Sequence, residues 1–208
     1  SAATKALIVV WRRRAALDAA NTFFGCGNDA NDYFGFRIAS TNQLQTFASV
    51  GGSTINFTSD QLFRDVSVHQ LVIASVDMSQ ASADDKVQLY VGKTQIPATR
   101  SGTYTGTGGV PIGQGSIVQN IGRWPFTASE YVDGSIAQIA VIIGKCCQDS
   151  SVSIDDIAKE TAAGYLLPKD LEGIVGAAGG NSVLFEDEDF AAGTPIVGES
   201  WTVNNSPS

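Results

Sequence analysis

The sequence predicts an all-β protein, one large sandwich or barrel with one short helix. Three observations carry this. The 208-residue chain holds 22 glycines, and with its many Ser, Thr and Asn residues they supply the turns of a strand-rich fold. Short apolar or alternating runs recur along its length, whereas a single segment has helical character. Most informative is the stretch 68–91, VHQLVIASVDMSQASADDKVQLYV, where two strand patterns flank a polar, acidic loop. Leu71, Ile73 and Val76 lie in a β-branched run ending at Asp77. From Lys86 the chain then alternates, with Val87, Leu89 and Val91 on one face and Lys86, Gln88 and Tyr90 on the other. This reads as an antiparallel hairpin with one buried face.

The remaining elements follow in order. Residues 5–11 (KALIVVW) form a buried strand run, and Arg12, Arg13 and Arg14 after it read as a solvated strand end. Residues 33–39 (YFGFRIA) alternate, with Tyr33, Gly35, Arg37 and Ala39 on one face and Phe34, Phe36 and Ile38 on the other. Residues 43–50 and 53–58 are short strands joined at Gly51-Gly52, a hairpin-turn signal. Residues 101–116 are too rich in glycine for a confident strand and read as a long exposed loop or weak edge strands. Strand character returns at 117–124 and 134–144, joined by a loop from Pro125 to Asp133 that carries Phe126 and Tyr131. The helix is expected at 154–163. Ser153 suits its N-cap, Asp155 and Asp156 its first turn, and Gly164 its end. Short strands are expected at 182–185 and 201–203. No fixed-period repeat or linker interrupts the chain, so one domain is expected over 1–208, with 166–208 as an extension completing or decorating the sandwich.

Composition narrows function by exclusion. Thirteen Lys and Arg against 21 Asp and Glu leave a net charge of −8, which disfavours a nucleic-acid backbone as partner. Cys26, Cys146 and Cys147 are odd in number and lack metal-knuckle spacing, so they read as free thiols of a protein folded in a reducing cytoplasm. No secretory signal or run of transmembrane length is seen. The Ser-Ala-Ala start suits a trimmed initiator Met, and the expectation is a complete chain made inside a cell.

Several elements in order resemble laminin-G-like (concanavalin A-like) jelly-roll domains. They are the aromatic alternation at 33–39, the strand from His69 to Asp77, and KVQLYVG (86–92). NIGRW (120–124), YVDGSIAQIAVIIG (131–144) and a helical start near Ser153 complete the set. The resemblance covers residues 5–165 and implies an all-β, concanavalin A-like jelly-roll sandwich of two antiparallel sheets with one short helix. The chain departs from the pattern at Val68, where an aromatic is usual, and at Gly92-Lys93, which replaces the Asp-Gly usual after LYV.

A hydrolase on that fold would resemble the laminarinase-type glycosidases, which set two glutamates about an aspartate on one strand so that both carboxyls reach one cleft. Glu186 and Glu188 share a strand face, but in Glu186-Asp187-Glu188-Asp189 the spacing is wrong and a solvated acidic turn is the better reading. The sole histidine, His69, has no G-x-S-x-G partner. Residues 102–115 lack the Gly-Lys-Ser/Thr ending of a phosphate loop. For calcium, the metal that many laminin-G domains take, Asn28, Asp29, Asn31 and Asp32 cluster enough oxygens, ahead of Asp84 and Asp85. For glycan, Tyr104, Trp124, Phe126 and Tyr131 are the ring candidates, the competing reading being that Trp124 and Phe126 cap the core.

Three functional expectations follow. The first, by analogy with phage capsid-decoration and tail-fibre proteins that resemble this fold, is a non-enzymatic virion structural protein. It would be made in the host cytoplasm, form a homo-oligomer, and contact viral capsid or tail proteins without a cofactor, nucleic acid or membrane. The second is a carbohydrate-binding adhesion module recognising host glycan. The third is a divergent glycoside hydrolase using Glu186 and Glu188.

Overall fold

The computed structural model describes residues 2–126, 132–162, 166–178, 182–186, 197–198 and 202–203. The chain begins in one sheet with β1 (Lys5–Arg14). It crosses to a second for β2 (Asn21–Gly27), β3 (Tyr33–Ile38), β4 (Gln43–Val50) and β5 (Ser53–Leu62). It returns to the first for β6 (Gln70–Asp77), β7 (Val87–Val91) and β8 (Thr94–Ile96). Then β9 (Ala98–Ser101) and β10 (Val118–Ile121) join the second sheet and β11 (Gly134–Ile143) the first. A small hairpin of β12 (Ala158–Glu160) and β13 (Leu166–Pro168) precedes helix α1 (Glu172–Ala178). Finally β14 (Val183–Glu186) and β15 (Val197–Gly198) extend the first sheet, and β16 (Thr202–Val203) extends the second.

Among the described residues each main sheet has seven strands, in the orders β15-β14-β11-β1-β6-β7-β8 and β16-β10-β2-β3-β4-β5-β9. Pairing is antiparallel except where β16 runs parallel to β10, with Thr202 beside Asn120. The continuous apolar run of β1 is explained by its central place. Val9 sits between Ala140 of β11 and Ile73 of β6, and both its faces are covered. The core between the sheets includes Ile8, Val10, Phe24, Phe34, Phe36, Leu44, Phe57, Val72, Leu89 and Val141. A bulge in β2 sends Phe23 as well as Phe24 inward, where Phe23 meets Phe36 edge-on at 5.4 Å.

Four expectations are corrected. The central hairpin is buried on both faces. Val87, Leu89 and Val91 face the main core as expected, but Leu71, Ile73 and Tyr90 join a second apolar cluster under the C-terminal segment. The expected helix at 154–163 is a single 3₁₀ turn, Ile154–Asp156. Its cap is as read: Ser153 Oγ accepts from the Asp155 N–H at 3.2 Å, and Asp156 Oδ2 accepts from the Ser153 N–H at 3.1 Å. Ile157 is then buried in the second cluster and the chain straightens into β12, so tertiary pairing overrides helical spacing. The α-helix lies further on, at α1, where Asp170 Oδ1 accepts from the Glu172 N–H at 2.9 Å.

The third correction concerns the arginines. Arg13 is exposed, but strand alternation turns Arg12 and Arg14 inward at the end of the sandwich, where both are buried. Arg14 donates to Asn42 Oδ1 (2.6 Å), the Phe63 carbonyl (3.1 Å) and the Ala19 carbonyl (2.9 Å), which ties three loops together. Arg12 donates to Gln70 Oε1 at 2.8 Å and lies 5.7 Å from the Phe23 ring; burial, and secondarily Arg14, lower its pKa to about 10. Fourth, the glycine-rich stretch is not simply exposed. It begins in β9, and Tyr104, Val110 and Ile112 reach the core.

Candidate functional site

The outer face of the second sheet carries the candidate site. Because β2–β5 turn Phe24, Cys26, Phe34, Phe36, Leu44, Ala48, Ile55 and Phe57 inward, the alternate residues face out. Those are Gly25 and Gly27 on β2, Tyr33, Gly35 and Arg37 on β3, and Gln45, Phe47 and Ser49 on β4. On β5 they are Thr54, Asn56 and Thr58. Antiparallel register lines them up across the strands. Asn120, Gly25, Gly35, Phe47, Asn56 and Ser101 make one row, and Arg37, Gln45, Thr58 and Thr99 the next.

Three glycines on this face allow rings to lie on the sheet. A methyl group at Gly25 would stand 2.9 Å from Trp124 Cε3 and 2.8 Å from Pro125 Cδ. One at Gly27 would stand 2.6 Å from Phe126 Cζ, and one at Gly35 would enter the Phe47 ring. The result is a cluster of four aromatics. Trp124 lies 4.7 Å from Phe47, 5.5 Å from Tyr33 and 5.1 Å from Phe126, with the Tyr33 and Phe126 contacts near edge-to-face. The Arg37 guanidinium sits 4.3 Å from the Phe47 centroid and its Nε donates to Gln45 Oε1 at 3.0 Å. Gln45 Nε2 in turn donates to Thr58 Oγ1 at 3.1 Å. Trp124 is 8% exposed and forms the base, whereas Phe126 is 43% exposed and presents its ring to water.

Of the four ring candidates read from the sequence, the structure brings Trp124 and Phe126 together. Tyr131 lies outside the described residues. Tyr104 is in the core, its hydroxyl donating to the Gly108 carbonyl at 2.9 Å. Tyr33, Phe47 and Arg37 were missed as site residues, although the alternation at 33–39 had already placed Tyr33, Gly35 and Arg37 on one face. What sequence could not supply was which face the core would take.

The loop of Asn28, Asp29, Asn31 and Asp32 joins β2 to β3 at one end of this face. Asp29 Oδ1 accepts from the N–H groups of Asn31 (2.7 Å) and Asp32 (3.2 Å), and Asp32 Oδ1 accepts from the Gly51 N–H (2.9 Å). These oxygens brace the loop and the neighbouring Gly51-Gly52 turn. Among the described residues no group of three or more His, Cys, Asp or Glu could hold a metal ion. Beside the loop is a cavity of about 400 Å³ lined by Asn28 and Asp32 together with Gln114, Ser116 and Ile117.

Elsewhere, Glu186 pairs in register with Gln138, and Glu188 lies outside the described residues. His69 Nε2 lies 3.2 Å from Ser135 Oγ at the surface. A denser polar group sits where residues 145–151 fold over β6. Lys5 Nζ meets Asp149 Oδ2 at 2.5 Å, and hydrogen bonds from Lys5 and Ser151 hold the Asp149 carboxyl well below its ordinary range. Burial pushes Asp77 up, but hydrogen bonds from Ser79 and Gln80 outweigh it and leave the carboxyl below its ordinary value. Burial raises the Cys146 thiol to about 12. Among the described residues no helix is long and apolar enough to cross a membrane.

The strand order and two-layer packing define a concanavalin A-like jelly-roll sandwich. No family model and no curated protein matches the chain. Among solved structures it is similar to domains LG4-5 of the mouse laminin α1 chain, at 13% identity and a TM-score of 0.48, over 69% of this chain and 37% of that one. It is also similar to CBM40 of the Ruminococcus gnavus IT-sialidase, at 14% identity and a TM-score of 0.46, over 65% of this chain and 73% of that one. A third is the heptameric SAP-like pentraxin from Limulus polyphemus, at 11% identity and a TM-score of 0.43, over 67% of this chain and 64% of that one. The chain thus spans less than two thirds of the pentraxin and of the laminin pair.

Proposed function

We propose that this protein is a non-enzymatic carbohydrate-binding module whose site is the aromatic face of the second sheet. One observation carries the reading: Trp124 and Phe126 cluster with Tyr33 and Phe47 on the side of the sheet away from the core. Their place outside the core between the sheets supports this reading over one in which the rings cap the core. A half-exposed ring on a rigid aromatic base presents a flat apolar surface to the C–H face of a sugar. Neighbouring polar groups on Arg37, Gln45 and Asn56 supply the directional hydrogen bonds that such ligands need.

A glycan array, run with calcium and again with a chelator, tests this directly. Saturable binding to one glycan class is expected, and Phe126→Ala should weaken it at least tenfold in titration calorimetry while the melting temperature holds. The chelator arm tests whether the loop of Asn28, Asp29, Asn31 and Asp32 takes part. A blank array in both conditions overturns the reading in favour of a protein-binding role. The particle-decoration expectation belongs to that class, and no residue-level observation here favours it.

A further inference from the structure

Two positive charges are buried at one end of the sandwich, and they are not balanced alike. Arg12 and Arg14 are 2% and 1% exposed, and at strand rise their Cα atoms stand about 6.6 Å apart on one face of β1. Arg14 is well matched. Its three bonds reach Asn42 Oδ1 and the carbonyls of Phe63 and Ala19, and Asn42 Nδ2 donates onward to Asp18 Oδ1 at 2.6 Å. Burial lowers its pKa, and the charges of Asp18 and Asp133 act against that.

Arg12 has no such support. Among the described residues its guanidinium makes one hydrogen bond, to the neutral Gln70 Oε1, and its ring contact is Phe23 at 5.7 Å. The neighbouring charge that acts on it is Arg14, which repels it. No carboxylate of the described residues lies within ion-pair distance of either guanidinium. The Nε atoms of Arg12 and Arg14 are buried and have no hydrogen-bond partner among the described residues. An unmet donor on an unpaired charge is far more costly inside a protein than in water.

We propose that this end of the sandwich binds a small inorganic anion of chloride size, held by Arg12 Nε and drawn in by the charge of Arg14 beside it. The guanidinium charge calls for an anion, since a water would meet the N–H without balancing it. The few unspent donors call for a spherical one, because the four oxygens of sulfate or phosphate need more partners than remain. Burial calls for a small one, which enters by local opening of the loops at 15–20 and 63–69. The site is independent of the carbohydrate reading, because Arg12 faces between the sheets and the aromatic cluster lies outside them. Folding is then linked to the concentration of the anion.

The test follows urea unfolding of the full chain as sodium chloride replaces sodium gluconate at constant ionic strength, which holds screening fixed. The folded-to-unfolded ratio should rise with chloride, approaching a tenfold gain for each tenfold increase above the dissociation constant. In Arg12→Met, which keeps an apolar stem, that dependence should vanish. In Arg13→Met, at the exposed neighbour, it should persist. A second measurement needs no variant: crystals of the wild type soaked in bromide should show an anomalous peak at hydrogen-bond distance from Arg12 Nε. A wild-type stability that chloride leaves unchanged overturns the site, as does an equal dependence in Arg12→Met. So does a bromide map in which a water or a carboxylate of the chain occupies that place and every peak lies at exposed side chains.

Discussion

The outer face of the first sheet carries Leu7, Val9, Trp11, Leu71, Ile73 and Tyr90, and the C-terminal third of the chain roofs it with Val152, Ile157, Leu171 and Val175. The outer face of the second sheet carries glycines, Tyr33, Phe47, Arg37, Gln45, Asn56 and Thr58, over which the loop after β10 lays Trp124 and Phe126. Both sheets share one core and one strand geometry, so the difference is chemical. Aliphatic side chains gain from water only by leaving it, and a face made of them needs a cover of more chain. Aromatic and amide side chains combine apolar area with polar edges, and a face made of them is stable while still open to a ligand.

Four measurements would break or sharpen that contrast. The largest effect is expected under the roof. Ile142→Ala should cost about 2–5 kcal/mol in urea unfolding, as large-to-small core changes do, with glycan affinity unchanged. If the loss is under 1 kcal/mol, the roof is not a true second core. Next, Gly35→Ala forces a methyl group into the Phe47 ring. A cost of about 1–3 kcal/mol is expected from overpacking, and because Phe47 must lift, glycan affinity should fall in the same variant. A change in stability alone would separate the ring cluster from the binding site.

The third is acid stability. Asp149 and Asp77 are held below their ordinary values where residues 145–151 clasp the first sheet. A carboxyl depressed in the folded state favours folding at any pH above its unfolded value, about 3.9, and that contribution is lost as pH falls through the lower folded value. Stability should therefore drop below about pH 4, and Asp149→Asn should flatten that drop; an unchanged acid limb would remove the pair from the account. The smallest effect is kinetic. Burial raises the Cys146 thiol to about 12 and also raises Cys147, so at pH 8 both should react with a disulfide reagent far more slowly in the folded protein than after denaturation.

Much of the fold was legible before any coordinates. The alternation of Val87, Leu89 and Val91, the Gly51-Gly52 turn, the apolar runs of β1 and β11 and the Ser153 cap all report local geometry, and each appears where the pattern put it. The errors share one cause. Arg12 and Arg14 look like solvated charges until distant partners are brought to them, Gln70 to the first and Asn42 and Phe63 to the second. Residues 157–160 look helical until residues 166–168 offer a strand. Half of the candidate site was visible as Trp124 and Phe126. Tyr33 and Phe47 were ordinary strand aromatics until Gly25, Gly27 and Gly35 proved to lie beneath the rings.

By itself, then, the sequence determined the strand periods, the turns and which residues share a face, because those depend on neighbours one or two positions apart. Which face turns to the core, which is roofed and which stays open was decided only by the tertiary structure. Those outcomes depend on segments more than a hundred residues apart meeting across the sheet, as Leu71 and Ile73 do with Val175 and Leu184.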